Sequence, residues 1–103
     1  MTNNEFYEIF RDYNTRNYCY GTHSPRIALI KKHFLSLFGD VAVQAITGSD
    51  IDSVYFRMEE NNLAHNTIFG AYAAMSSYFN LAIAYDEIVH NPVQDALTIR
   101  PKR

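Results

Sequence analysis

The longest uncharged stretch of the chain, residues 61–85, predicts the central helix of the fold. Its large apolar side chains recur in steps of three and four, which places them on one face of an α-helix. These side chains belong to Ile68, Tyr72, Met75, Phe79, Ala82 and Ile83. The other positions are mostly small, so we expect neighbouring helices to surround it almost completely. A membrane span is the competing interpretation, because about 20 apolar residues suffice for one, but polar residues such as Asn66 and Asn80 interrupt the run.

A first helix is predicted over residues 4–14 by the pattern at its start. Thr2 and Glu5 have the spacing of a capping box, in which a hydroxyl and a carboxylate each bind a free amide at a helix start. The segment that follows, residues 14–23, is rich in Asn and contains a glycine, which predicts a loop. The packing residues expected in this loop are Tyr18 and Tyr20.

A second helix is predicted over residues 25–38. Ser24 precedes Pro25, and serine caps free amides while proline is preformed for the first helical position. Gly39 follows as the expected C-terminal stop. The apolar stripe of this helix consists of Ile27, Ile30, Phe34, Leu37 and Phe38. The helical period puts Arg26 and His33 on one flank of this stripe. It directs Lys32 and Ser36 away from the stripe.

A third helix is predicted over residues 49–60, after a short connector. Thr47 and Asp50 form another capping pair at its start. Its apolar stripe consists of Ile51, Val54, Tyr55 and Met58. The connector side chains that we expect to cover one end of the core are Val41, Val43 and Ile46.

The central helix is then the fourth, with His65 or Asn66 as its expected cap. Asn91 and Pro92 forbid its simple continuation, because the residue before a proline is pushed out of the α region. The chain is therefore predicted to form one all-α domain over residues 1–95. The polar, basic segment 96–103 is predicted to be a loose linker.

Composition limits the classes of function. A chain of 103 residues with 48% hydrophobic side chains fits a single packed domain. Cys19 is the one cysteine and cannot form an intrachain disulfide, and the N-terminus lacks the pattern of a secretory signal. We therefore expect a reducing, cytoplasmic compartment. The four histidines match no metal-ligand spacing, and neither a metal nor a cofactor is expected.

The charges are distributed unevenly along the chain. The net charge of −2 argues mildly against a polyanionic partner. However, residues 13–39 contain no Asp or Glu, whereas residues 40–60 are rich in them. The cations of the acid-free stretch are Arg16, Arg26, Lys31 and Lys32. This pattern predicts one basic and one acidic side, although a solvated surface without a partner would give the same pattern.

The side chains available suit recognition better than catalysis, because we find no catalytic arrangement. A helix start that carries His23, Ser24 and Arg26 is suited to phosphates or base edges, since free amides favour anions and arginine can form a bidentate contact with guanine. The start of the fourth helix offers a second set of hydrogen-bonding groups, which are His65, Asn66 and Thr67. Plain helix capping is the alternative role for Ser24, Asn66 and Thr67.

Three segments together resemble the N-terminal core-binding domain of phage integrase family tyrosine recombinases. They read HSPRIALIKKHFLSLFGD, AITGSDIDSVYFRM and LAHNTIFGAYAAMSSYFNLAIAYDEIVHNPV, and they span nearly the whole chain. Family members show a serine-capped helix ending in Phe-Gly, an Ile-Thr-x-x-Asp-Ile pattern, a long helix with an early Thr and a late Phe-x-x-Ala, and a closing Asn-Pro. The matching residues are Ser24, Phe38, Gly39, Ile46, Thr47, Asp50, Ile51, Thr67, Phe79, Ala82, Asn91 and Pro92.

The resemblance implies a four-helix, SAM-like orthogonal bundle that forms one jaw of a clamp around duplex DNA. In the family, the second and fourth helices face the major groove. The positions that match the DNA-facing ones are Ser24, Arg26, Ile27 and Ile30 in helix two and His65, Asn66, Thr67 and Gly70 in helix four. The basic stretch adds His23, Lys31 and Lys32 to the candidate DNA-binding residues. Two positions depart from the family, since Ile27 stands where threonine is common and Lys31 where tyrosine is common.

The family's catalytic domain, with its nucleophilic tyrosine, lies C-terminal to this module, and nothing in this chain corresponds to it. The resemblance therefore implies a non-enzymatic chain, either an excised domain or a truncated gene product. Its expected partners are an attachment or crossover site on duplex DNA and other recombinase protomers in the full-length enzyme. We expect the isolated domain to be a monomer without membrane contact. The alternatives are a free-standing DNA-site binder that does not cut, and a helical protein-interaction module whose acidic third helix contacts a basic partner.

Overall fold

Four helices form the domain in the computed structural model, which describes residues 1–96. Helix α1 is Asn3–Asn17, α3 is Gly48–Glu60 and α4 is His65–Ala84. Helix α2 is a continuous run of three segments, α-helical Tyr20–Leu29, π-helical Ile30–Leu35 and α-helical Ser36–Phe38. Two short 3₁₀ turns, Val43–Ala45 and Pro92–Asp95, complete the described chain. The predicted all-α, four-helix bundle is confirmed, and residues 1–96 contain no strand.

The predicted linker over residues 96–103 lies outside the described residues except for Ala96, which is buried. Within the described part, no helix is both long enough and apolar enough to cross a membrane.

Local capping patterns correctly placed the starts of α1 and α3. Thr2 Oγ1 accepts from the Glu5 amide at 3.3 Å, and Glu5 Oε1 accepts from the Thr2 amide at 2.8 Å. Thr47 and Asp50 repeat the arrangement, with distances of 3.4 Å and 3.0 Å. Because each box joins residues three apart, its formation depends on the local sequence alone.

The predicted start of α2 at Pro25 is wrong. The helix begins five residues earlier, at Tyr20, and Pro25 lies in its interior. Only Tyr18 and Cys19 separate α1 from α2, so the predicted loop over residues 14–23 is also wrong. Proline inside a helix removes the amide that would bond to the carbonyl four residues earlier. Packing of α2 against α1 and α4 offsets that cost, and such tertiary contacts leave no local sequence pattern.

The second helix ends as predicted before Gly39, but the reason for the glycine differs. Gly39 keeps a right-handed backbone, with φ of −56°. A side chain there would collide with α1, since a Cβ would lie 2.5 Å from Asn4 Oδ1. The Asn4 amide donates to the Gly39 carbonyl at 2.8 Å, which closes the contact. Gly39 therefore permits the end of α2 to touch the start of α1.

The core is built around Tyr78 on α4, which is 0% exposed. Its ring contacts the rings of Phe6, Phe10, Phe34 and Phe79 at centroid distances of 5.1–5.4 Å. Burial raises the pKa of the Tyr78 phenol. The hydroxyl lies 2.9 Å from Oδ1 of the buried Asn3, so a polar contact ties α4 to the start of α1. The predicted apolar stripe of α4 omitted Tyr78.

The remaining stripe predictions hold for most positions. Ile68, Met75, Phe79 and Ala82 of α4 are buried, whereas Tyr72 and Ile83 are half-buried. The other predicted core residues that are buried are Ile30 and Phe34 of α2, Ile51, Val54 and Met58 of α3, and Val43 and Ile46 of the connector. The prediction that α4 is almost completely surrounded is wrong, because one of its faces is open. The exposed residues of that face are Phe69, Ala73, Asn80 and Ala84.

Helices α3 and α4 end in the same way, with a left-handed residue that is not glycine. Asn62 has φ of 57° and Asp86 has φ of 60°. The amide after each of them bonds back into the helix, from Leu63 to Met58 at 3.2 Å and from Glu87 to Ala82 at 2.9 Å. These bonds satisfy carbonyls that a helix end would otherwise leave unpaired.

Candidate nucleic-acid interface

Helices α2 and α4, the pair expected to address DNA, pack against each other. Their close approach lies at Gly70, where a Cβ would come within 3.3 Å of Leu29 Cδ1. Leu29 and Gly70 are both half-buried. The small residue at position 70 thus lets the start of α4 lie beside the middle of α2.

The surface made by α2 and the start of α4 carries no carboxylate of its own. Residues 13–39 and 61–85 contain no Asp or Glu. Lys31 and Lys32 on α2 are exposed, and neither forms an ion pair with any residue in 1–96. Burial, together with the charge of Lys32, lowers the pKa of the nearby His33 imidazole, which disfavours its charged form. Lys31 and Lys32 are therefore the exposed, unpaired cations of α2 among the described residues.

The start of α4 is open to solvent. Its N-cap is Ala64, which has no side-chain cap hydrogen bond. The prediction that His65 or Asn66 caps the helix is wrong, since both lie in its first turn. Their side chains are exposed, that of Thr67 is half-buried, and the His65 ring packs on Phe69 at 4.9 Å. The first amides of a helix have no partner within it, so this end combines free donors with three polar side chains.

Arg26 is directed into the fold and away from a prospective ligand. Its guanidinium donates to Asn14 Oδ1 at 2.8 Å and lies 4.8 Å from the centre of the Tyr18 ring. Asn14 is buried and donates in turn to the Phe10 carbonyl at 2.8 Å. Arg26 therefore ties α2 to α1, and we do not retain the predicted base contact for it. Tyr18 itself is 41% exposed, so the expectation that it is a packing residue is wrong.

Arg26→Ala should for this reason destabilise the domain by about 1–2 kcal/mol, because it removes a hydrogen bond to a buried amide and a cation–π contact. Urea unfolding of the variant, with Arg16→Ala as a matched control, measures this. Arg16 is exposed on α1 and forms no ion pair with the described residues. Unchanged stability for Arg26→Ala, together with weaker binding to duplex DNA, would return Arg26 to the interface.

Other predicted contact residues lie at different depths. Ile30 is 1% exposed and belongs to the core, so its prediction as a DNA-facing residue is wrong. Ile27 is half-buried and packs against that core. Ser24 is half-buried within α2, away from the helix end that we predicted for it. His23 is also half-buried, and its Nδ1 atom has no hydrogen-bond partner among residues 1–96.

Two exposed aromatic residues extend the surface and were missed as candidates. Tyr20 at the start of α2 is 75% exposed and contacts the His23 ring at 5.5 Å, so the prediction that it packs is wrong. Phe69 is 41% exposed near the start of α4. Phe69 falls outside the apolar stripe of its helix, and this departure is the pattern that would have identified it.

Comparisons of the chain with family models, with curated proteins and with solved structures gave no match. Only the residues and the geometry of the chain itself therefore bear on its function. The retained candidate interface consists of Lys31, Lys32, His65, Asn66 and Thr67, with His23 and Ser24 at its margin.

Proposed function

We propose that this chain is a duplex-DNA-binding module that positions DNA and does not cut it. Its SAM-like, core-binding character within a tyrosine recombinase is part of the same proposal and is supported by the ordered sequence resemblance. The observation that carries the proposal is that α2 and α4 pack together and contain no carboxylate, while α2 bears unpaired lysines and α4 begins at an open helix start.

The physical basis is electrostatic. Duplex DNA presents closely spaced phosphates, and each lysine that approaches one releases condensed counterions. The open start of α4 favours an anion through its free amides and its dipole. Asn66 in that first turn has the amide geometry that can pair with adenine in the major groove. The surface thus offers phosphate contacts for position and one side chain suited to reading a base.

The proposed role follows from these parts. As one jaw of a clamp, the module would hold an attachment or crossover site while other recombinase protomers and the catalytic domain act on it. The acidic residues lie on α1, on α3 and in the connecting segments, so DNA is expected to approach from the α2 and α4 side.

Lys32→Ala tests the proposal directly. We expect weaker binding to duplex DNA. We also expect the slope of the logarithm of affinity against the logarithm of salt concentration to fall in magnitude by about 0.9, as for the loss of one phosphate contact. Fluorescence anisotropy with an attachment-site duplex and a scrambled duplex, each over several salt concentrations, measures both quantities. Arg57→Ala is the matched control, because Arg57 is an exposed cation on α3.

Equal affinities of the Lys32→Ala and Arg57→Ala variants would exclude α2 as the DNA-facing helix. Absence of binding to either duplex at low salt would overturn the proposal as a whole.

One observation favours a second candidate, a protein-interaction module. Phe56 on α3 is 48% exposed, and Glu59 and Glu60 are exposed on the same helix. An apolar ring beside carboxylates suits a basic, amphipathic helix of a partner protein. Binding of such a peptide, lost in Phe56→Ala and unaffected by Lys32→Ala, would favour this candidate over the DNA module.

A further inference from the structure

An open, shallow cavity lies between α1 and α2, with a volume of about 370 Å³. Tyr7 and Arg11 line it from α1, and His23, Ser24 and Lys31 line it from α2. No carboxylate is among its lining residues. The cavity therefore has a cationic side chain on each of its two walls.

The polar groups of the cavity differ in how firmly they are held. Arg11 Nη1 lies 3.0 Å from Glu8 Oε2, and Arg11 Nε lies 3.9 Å from Asp12 Oδ1. Both ion pairs are exposed, so they position the guanidinium but contribute little energy. The Lys31 ammonium and the Ser24 hydroxyl have no partner among residues 1–96. The Nδ1 atom of His23 is buried and also has no partner in that range. The wall formed by α2 thus presents donors that the fold does not use.

We propose that this cavity binds a phosphate group, with Arg11 and Lys31 as its cationic ligands and the Ser24 hydroxyl as a further donor. Charge-assisted hydrogen bonds to phosphate oxygens are among the strongest that proteins form, and a planar guanidinium can make two of them at once. The inference extends the proposed function, because a backbone phosphate in this cavity would add α1 to the DNA contacts. A free phosphate compound has the same chemistry, and the experiment below separates the two sources.

The first measurement is an amide NMR titration with inorganic phosphate, in which sodium chloride is exchanged to keep the ionic strength constant. We expect saturable shifts at residues 11, 24 and 31, and their loss in Arg11→Gln and Lys31→Gln. Arg16→Gln is the matched control on α1 and should retain them. Glu8→Gln should bind phosphate more tightly than the natural chain, because it removes the nearer of the two carboxylates that pair with Arg11.

The second measurement is duplex binding by the same variants over several salt concentrations. If a backbone phosphate occupies the cavity, Arg11→Gln should bind roughly tenfold more weakly than Arg16→Gln, as expected for the loss of one charged hydrogen bond. If phosphate shifts the amide signals but Arg11→Gln and Arg16→Gln bind the duplex equally well, the cavity is assigned to a free phosphate compound.

The outcomes also separate this inference from the proposed function. One outcome is that duplex binding depends on Lys32 but not on Arg11, and that phosphate shifts no amide signals of the cavity. This outcome would overturn the inference without contradicting the DNA module. Phosphate shifts without any duplex binding would support the cavity and overturn the DNA module. Shifts that persist in Arg11→Gln and Lys31→Gln would also overturn the inference. Circular dichroism of each variant confirms that it is folded.

Discussion

Replacement of Tyr78 by alanine is expected to lower the free energy of unfolding by about 3–5 kcal/mol, as for other large aromatic truncations in a core. The residue is 0% exposed and contacts four other aromatic rings. A cavity at this point would affect α1, α2 and α4 together, because Phe6, Phe34 and Phe79 come from these three helices. Since each kcal/mol lost shifts the melting temperature of a domain of this size by about 4–8 °C, the variant should melt more than about 10 °C below the natural chain.

Thermal unfolding followed by circular dichroism measures this loss, and two further variants isolate its causes. Tyr78→Phe keeps the ring but leaves Asn3 Oδ1 without its donor, so a smaller loss of about 1–2 kcal/mol is expected. Phe69→Ala removes a ring of similar size from the exposed face of the same helix, and its stability should change little. If Tyr78→Ala melts near the temperature of the natural chain, the packing described for α4 is incorrect.

The second large effect is expected from Gly48→Ala, with a loss of about 1–3 kcal/mol through overpacking. Gly48 begins α3, and a Cβ at this position would lie 2.7 Å from the backbone carbonyl oxygen of Asp95. The obstacle is main chain, so a side-chain rotation cannot relieve it, and the 3₁₀ turn Pro92–Asp95 must move away. Urea unfolding of Gly48→Ala and of the natural chain under the same conditions measures this loss of unfolding free energy.

Gly21→Ala is the matched control for this substitution. Gly21 also lies in the first turn of a helix, but a Cβ there would meet nothing within 4 Å. Alanine should therefore stabilise the domain by about 0.4–1 kcal/mol, because it restricts the unfolded chain without a clash. The two glycine substitutions are expected to have opposite signs. Equal effects of both would show that the turn Pro92–Asp95 does not pack on α3 as described.

The candidate interface was predictable in part. The clustering of Lys31 and Lys32 in an acid-free stretch, and the polar start of α4, follow from the order of residues and from helical periodicity. The exclusion of Arg26 and Ile30 from the interface could not be predicted in this way, because it depends on which side of α2 faces α1 and the core. Arg26 meets Asn14 from the preceding helix, and a pairing between two helices leaves no pattern that local reasoning can recover.

Sequence patterns alone predict the number and class of the elements, the capping boxes of α1 and α3, and most of the core residues. These features arise from contacts within one turn of helix or from the period of apolar positions, which a single segment contains. Three features depend on how the helices pack: the residue at which α2 begins, the position of Tyr78 at the centre of the core, and the set of cations that remain free for a ligand. Each of those outcomes depends on packing between distant segments, whose combined free energy outweighs local preferences such as that of proline for a helix start.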